Sequence, residues 1–131
     1  MYKRQVPAKF RAALADGAVL TRSTAGCVEL WPSDEYEAVH GGAMEGLNPL
    51  APDARELRRR VFGGAFDTEL DGAGRVNLPP KLVEHAKLGR DVAIVGAGEC
   101  LEIWDRDAWA AIDEDSPARI HELTRDLGHP S

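Results

Sequence analysis

At 131 residues, 44% of them apolar and 29% charged, the chain is long enough for one compact domain and too mixed in composition for a low-complexity segment. The apolar residues behind Lys3 and Arg4 are broken by Lys9, Arg11 and Asp16, so no signal-peptide core forms, and no run reaches membrane-spanning length. The net charge of −6 speaks against a uniformly basic nucleic-acid binder, yet residues 99–131 hold nine acidic and three basic side chains and so carry the whole imbalance.

In chain order, residues 6–14 place apolar side chains at helical spacing behind Pro7, a residue suited to a first helical turn. Residues 18–22 and 27–31 read as strands joined by a hairpin turn over 23–26, followed by a helix start with Ser33 or Asp34 as cap ahead of Tyr36. Residues 41–52 form a Gly- and Pro-rich connector, and a helix over 53–62 is stopped by Gly63 and Gly64. On that helix Ala54, Leu57 and Val61 point toward a core while Arg55, Arg58 and Arg59 point elsewhere. Residues 65–70 and 75–78 are strand candidates around a tight turn at 71–75. Residues 79–88 predict a helix, 92–95 and 100–104 predict strands around a turn at 96–99, and Asp105 caps a helix holding Trp109. From Ser116 the tail sets Ile120, Leu123 and Leu127 on one face of a further short helix.

The chain repeats itself. Cys27, Glu29, Leu30 and Trp31 recur as Cys100, Glu102, Ile103 and Trp104 at an offset of 73, using both cysteines and two of the three tryptophans. Pro7, Lys9 and Phe10 face Pro79, Lys81 and Leu82 at an offset of 72, and Asp34 and Tyr36 face Asp107 and Trp109. Neither half alone would bury a sufficient core, so the repeat predicts one α+β domain with an internal pseudo-twofold. Both cysteines fall in strands as small buried hydrophobes. A disulfide between them is open, and a reduced cytosolic setting is favoured.

Within the neutral part, basic residues cluster as Lys3, Arg4, Lys9 and Arg11, as Arg55, Arg58, Arg59 and Arg60, and as Arg75, Lys81, Lys87 and Arg90. On charge alone these are solvated surface. The sharpest local signal is Asp71, Gly72, Ala73, Gly74, Arg75, in which two glycines permit positive φ and the aspartate accepts from turn amides. Many hairpins use such a turn for nothing more. The functional reading adds Arg75 as a fork-shaped donor for a phosphate or a guanine edge.

The arginine-bearing helix, Gly64 and Ala65, D-x-x-G-R at Asp71 to Arg75, Leu78 and Pro79, and C-x-E-I-W at Cys100 to Trp104 together resemble the MraZ family of bacterial transcriptional regulators. Val6, Pro7, Lys9, Phe10, Arg11, Leu20, Thr21, Arg22, Gly26, Cys27, Leu30 and Pro32 resemble that family's first half, so the likeness covers about residues 6–110. It implies tandem AbrB-like swapped-hairpin β units with short helices. The first repeat spans residues 1–40, connector and helix 41–64, the second repeat 65–112 and an acidic tail 113–131. It further implies a ring-shaped homo-oligomer, cytoplasmic and nucleoid-associated, that binds repeated promoter elements of double-stranded DNA and represses its own division and cell-wall gene cluster. The family's contact motif carries onto Asp71, which orders the loop through Gly72, Ala73 and Gly74, and Arg75, which contacts DNA. Lys81, Lys3, Arg4 and Lys9 are phosphate-contact candidates. No catalytic residue, metal, cofactor, membrane or small-molecule substrate is implied.

One departure stands out. At the 72-residue offset the counterpart of Arg75 is Lys3 and that of Asp71 precedes Met1, so the first copy lacks the loop. Residues 1–5 align poorly with the expected strand. Two readings follow, a start inside the natural reading frame, which is favoured, or a copy that has lost its acidic and glycine positions; under either, DNA contact through the first copy is compromised and the barrel is expected to lack an edge strand.

Other function classes fit less well. Gly96, Ala97, Gly98 lacks the third glycine of a dinucleotide loop and leads into a strand. His40, His85, His121 and His129 show no metal spacing with the cysteines, no serine sits in a nucleophile motif, and Asp113, Glu114, Asp115 reads as a solvated face. A single-copy antitoxin is disfavoured by the tandem repeat and the lack of a long toxin-binding tail. The remaining alternative is an oligomeric protein-interaction module that does not bind DNA, supported by the acidic tail.

Overall fold

Strand β1 (Tyr2–Gln5) pairs antiparallel with β5 (Arg75–Leu78) to form a two-stranded ribbon, Lys3 opposite Asn77 and Gln5 opposite Arg75. Alternation divides the ribbon: Lys3, Gln5, Arg75 and Asn77 are exposed, while Val76 and Leu78 are buried in the core. The computed structural model describes residues 2–128; Met1 and His129, both considered above, lie outside them. The edge strand expected to be missing from the first copy is therefore present as β1, and β5 of the second copy is its partner.

The second sheet is antiparallel throughout, in the order β4 (Phe66–Thr68), β2 (Ala18–Arg22), β3 (Val28–Pro32), β7 (Leu101–Asp105), β6 (Val92–Gly96). Both sheets obey the repeat. At offset 72, Arg4 pairs with its own counterpart Val76, and at offset 73, Glu29 pairs with its own counterpart Glu102. Each sheet is thus joined at a residue facing its own copy, which is a pseudo-twofold written into strand register. The symmetry is incomplete at one place. β2 has neighbours on both sides, β3 and β4, whereas among the described residues its counterpart β6 has only β7.

The core is shared. Val6, Leu20, Val28 and Leu30 of the first copy pack with Val76, Leu78, Leu82 and Ile103 of the second in one cluster, so neither half has an interior of its own. A smaller cluster gathers Val19, Trp31, Tyr36 and Cys100, with Val61 against it. Tyr36 donates its hydroxyl proton to the Val61 carbonyl at 2.8 Å and so ties the connector helix to the first copy.

The helices are α1 (Ala8–Arg11, running into a 3₁₀ turn at Ala12–Leu14), α2 (Ser33–Ala43), α3 (Pro52–Gly63), α4 (Pro80–His85), α5 (Arg106–Asp113) and α6 (Ser116–Gly128). Asp105 caps α5, accepting from the Ala108 amide at 3.3 Å. The matching helix α2 differs from expectation: Pro32 holds the cap position, Ser33 is already helical, and no side chain caps. Proline's fixed φ starts the helix without one. On α3, Ala54 is buried and Val61 half-buried, but Leu57 is 46% exposed and lines a cleft instead of entering the core. The stripe Ile120, Leu123, Leu127 on α6 is also exposed, and α6 buries no residue. No helix among the described residues is long and apolar enough to cross a membrane, and those residues form no cluster suited to a metal ion.

Candidate nucleic-acid interface

The loop before β5 is built around one carboxylate. Asp71 Oδ1 accepts from the amides of Ala73 and Arg75, each at 2.9 Å, and Oδ2 accepts from Arg75 Nε at 2.9 Å. The backbone closes on itself as well, with the Asp71 amide donating to the Arg75 carbonyl and the Gly74 amide to the Asp71 carbonyl, both at 2.9 Å. The Arg75 amide, then the Ala73 amide and the Arg75 guanidinium, hold the Asp71 carboxyl below its ordinary range. Arg75 spends only Nε on Asp71, which leaves its terminal nitrogens without a hydrogen bond among the described residues on a half-exposed side chain tethered to the loop.

Gly74 is required on two counts. Its φ is +76°, and a Cβ there would collide with the Arg11 side chain. Arg11 reaches this place from α1, donating Nε–H to the Val6 carbonyl at 2.8 Å, while the Val6 amide donates to the Gly74 carbonyl at 2.9 Å. Gly72 and Ala73 complete the turn in exposed positions, and a Cβ on Gly72 would meet nothing.

The structure separates the basic residues that the sequence grouped. Lys3 stands on the outer face of the ribbon with Nζ 3.8 Å from Asp71 Oδ2, so the counterpart of Arg75 converges on the same carboxylate. Arg4, one residue on, turns inward and donates to the carbonyls of Gly89 and Arg90 at 3.2 and 3.1 Å. Its Nε is buried without a partner among the described residues. Lys9 lies exposed on α1 with its ammonium 5.0 Å from the Phe10 ring centroid. Lys81, on α4, lines a cleft with Arg22, Gly63, Phe66 and His85, apart from the loop. Arg11 was in a basic cluster but not among the expected contacts; no local spacing ties it to Gly74, since only the fold brings them together. Gln5 was also missed: its side-chain amide donates to the Ala73 carbonyl at 3.2 Å.

The cysteines take no part. Both are free thiols; burial pushes Cys27 up to about 11 and Cys100 to about 12, with Glu29 and Glu102 adding to both shifts.

A family model described as "MraZ protein, putative antitoxin-like" matches residues 61–128. The chain is 42% identical over 122 residues to the "Transcriptional regulator MraZ" of Paenarthrobacter aurescens (strain TC1), covering 92% of this chain and 84% of the relative. The proteins of the same name from Micrococcus luteus and Heliobacterium modesticaldum are 38% and 34% identical, each over 93% of this chain and 85% of the relative. These relatives are named for regulating transcription and not for a reaction, in keeping with a chain read as no enzyme. With the repeat, the shared core and the D-x-x-G-R loop all in place, the chain belongs to the MraZ family.

Proposed function

We propose that this chain is a sequence-specific DNA-binding transcriptional regulator whose contact surface is the ribbon β1–β5 with the loop Asp71 to Arg75. The observation that carries the reading is the Asp71 carboxylate, which satisfies two loop amides and aims the Arg75 guanidinium outward beside Lys3. A fork-shaped cation fixed at the edge of an exposed ribbon suits phosphates and guanine edges. The name carried by the relatives supports regulation of transcription.

One such loop neutralises few phosphates and binds weakly. A ring-shaped homo-oligomer presents identical loops, and repeated promoter elements engage several together, so effective concentration supplies the affinity. In this reading the protein is cytoplasmic and nucleoid-associated, and represses its own division and cell-wall gene cluster. Lys81 and Lys9 serve as outlying phosphate contacts. Arg4, its guanidinium turned to backbone carbonyls, supports the ribbon from behind.

The test is fluorescence anisotropy with the DNA upstream of the gene, at two salt concentrations, beside Arg75→Ala. Tight binding that weakens with salt by about 0.9 log units per phosphate contact and is lost in the variant is expected. Binding that survives Arg75→Ala at full strength would sink the assignment. A second reading, a protein-interaction module, is favoured by the exposed Ile120, Leu123 and Leu127 of the acidic tail. It predicts that removing the tail abolishes assembly and that DNA binding is absent throughout.

A further inference from the structure

The outer face of the ribbon carries four side chains in a two-by-two block. Lys3 stands opposite Asn77 and Gln5 opposite Arg75, and all four are exposed. At offset 72, Lys3 is the counterpart of Arg75 and Gln5 is the counterpart of Asn77, so each repeat supplies a cation followed two residues on by a carboxamide. The cations occupy one diagonal and the amides the other. Both cations approach Asp71, whereas among the described residues the Asn77 amide has no hydrogen-bond partner and Gln5 uses only Nε2, on Ala73.

Chemistry separates the two diagonals. A cation is drawn to every phosphate and, as a guanidinium, to the two acceptors of guanine. A carboxamide offers a donor and an acceptor side by side, which matches the N6–H and N7 of adenine and gains little from phosphate charge. The major groove of B-DNA is about 12 Å wide and admits a two-stranded ribbon. Residues two apart on a strand lie about 6.7 Å apart along it, close to two base steps at 3.4 Å each.

Resting on the DNA-binding reading above, we infer that Asn77 and Gln5 are specificity-determining residues that read adenine edges in the major groove, with Arg75 and Lys3 anchoring the same ribbon. The first repeat contributes half of this reading face through Lys3 and Gln5. Arg75 and Asn77 then address base pairs about two steps apart. Loss of one amide removes a base preference at one position and leaves general affinity for DNA in place.

The experiment is selection of randomised duplex DNA by the full-length protein, followed by sequencing, for the wild type, Asn77→Ala, Gln5→Ala and Asn77→Arg. Anisotropy on an unrelated duplex runs in parallel. Both positions are exposed, and circular dichroism checks that each variant is folded. The wild type is expected to enrich a site containing adenine. Asn77→Ala should lose roughly 5- to 100-fold of the discrimination at one adenine, leaving the other positions intact and binding to unrelated DNA within about twofold. Asn77→Arg should shift that position toward guanine. An unchanged motif in both Asn77 variants overturns the inference while leaving DNA binding standing. No enrichment and no binding by the wild type overturns the DNA-binding reading and this inference with it.

Discussion

Glu29 and Glu102 face one another directly in the β3–β7 pairing, and each accepts a hydrogen bond from the indole two residues further on, Trp31 at 3.1 Å and Trp104 at 3.0 Å. Two like charges meet where the repeats join, each held by a neutral donor. Opposed like charges on paired strands cost stability, and an indole N–H deprived of its acceptor costs more. Glu102→Gln keeps an acceptor for Trp104 and removes the repulsion; urea unfolding should show it more stable by about 0.2–1 kcal/mol. Glu102→Leu should be less stable by about 1 kcal/mol. Equal stability of the two variants would mean that the indole bond contributes nothing.

The loop is expected to be acid-sensitive in a defined window. The Asp71 carboxyl titrates below its ordinary value, so its contribution is complete above the ordinary carboxylate range and is lost as pH falls through its depressed folded value. The protection factors of the Ala73 and Arg75 amides, corrected for the intrinsic exchange rate at each pH, should fall in that window while those of core amides hold. Asp71→Ala should show the fast exchange at neutral pH and bind DNA more weakly, since Arg75 is no longer held.

Two glycines in one turn should respond differently. Gly74→Ala forces an L side chain to φ +76° and into Arg11, for an expected loss of about 1–3 kcal/mol in thermal or urea unfolding. Gly72→Ala meets open space and ordinary φ, and should stay within about 0.5 kcal/mol of the parent.

The thiols set an alkaline limit. The folded values of Cys27 and Cys100, about 11 and about 12, lie above the ordinary thiol value, so their contribution is complete below that value and is lost as pH rises through the folded ones. Denaturation from pH 8 to 11 should show falling stability, with a shallower slope in Cys27→Ala. Reaction with a thiol reagent at neutral pH should be slow and limited by unfolding.

Helix α6 should be dispensable for the fold. It buries no residue, so ending the chain at Asp115 should move the thermal midpoint by no more than a degree or two. Any effect should fall on assembly, read by light scattering.

The repeat was legible because cysteine and tryptophan are rare enough for a match to carry information. The loop was legible because Asp71, Gly74 and Arg75 lie within one turn and their chemistry is local. Strand partners were not. A four-residue strand such as Tyr2–Gln5 carries no mark of which distant strand it will join, and register decides which alternate side chains face out. For that reason Lys3 and Arg4, both phosphate-contact candidates in sequence, point to opposite faces in the fold. Leu57 was assigned to the core by helical spacing alone, yet α3 buries Ala54, packs on the small cluster through Val61 and leaves Leu57 in a cleft.

The two repeats, matched in sequence at a minority of positions, are unequally supported. β2 is flanked on both sides, and Ala18 to Thr21 are all buried; among the described residues β6 is flanked on one side, and Val92 to Val95 are only half-buried. Along β6 the outward-pointing peptide groups have no strand beside them among the described residues, where those of β2 pair with β4. Opening is therefore expected to begin at the β6–β7 hairpin, ahead of the β2–β3 hairpin, as hydrogen exchange would show. The protein is a symmetric object with a preferred place to come undone.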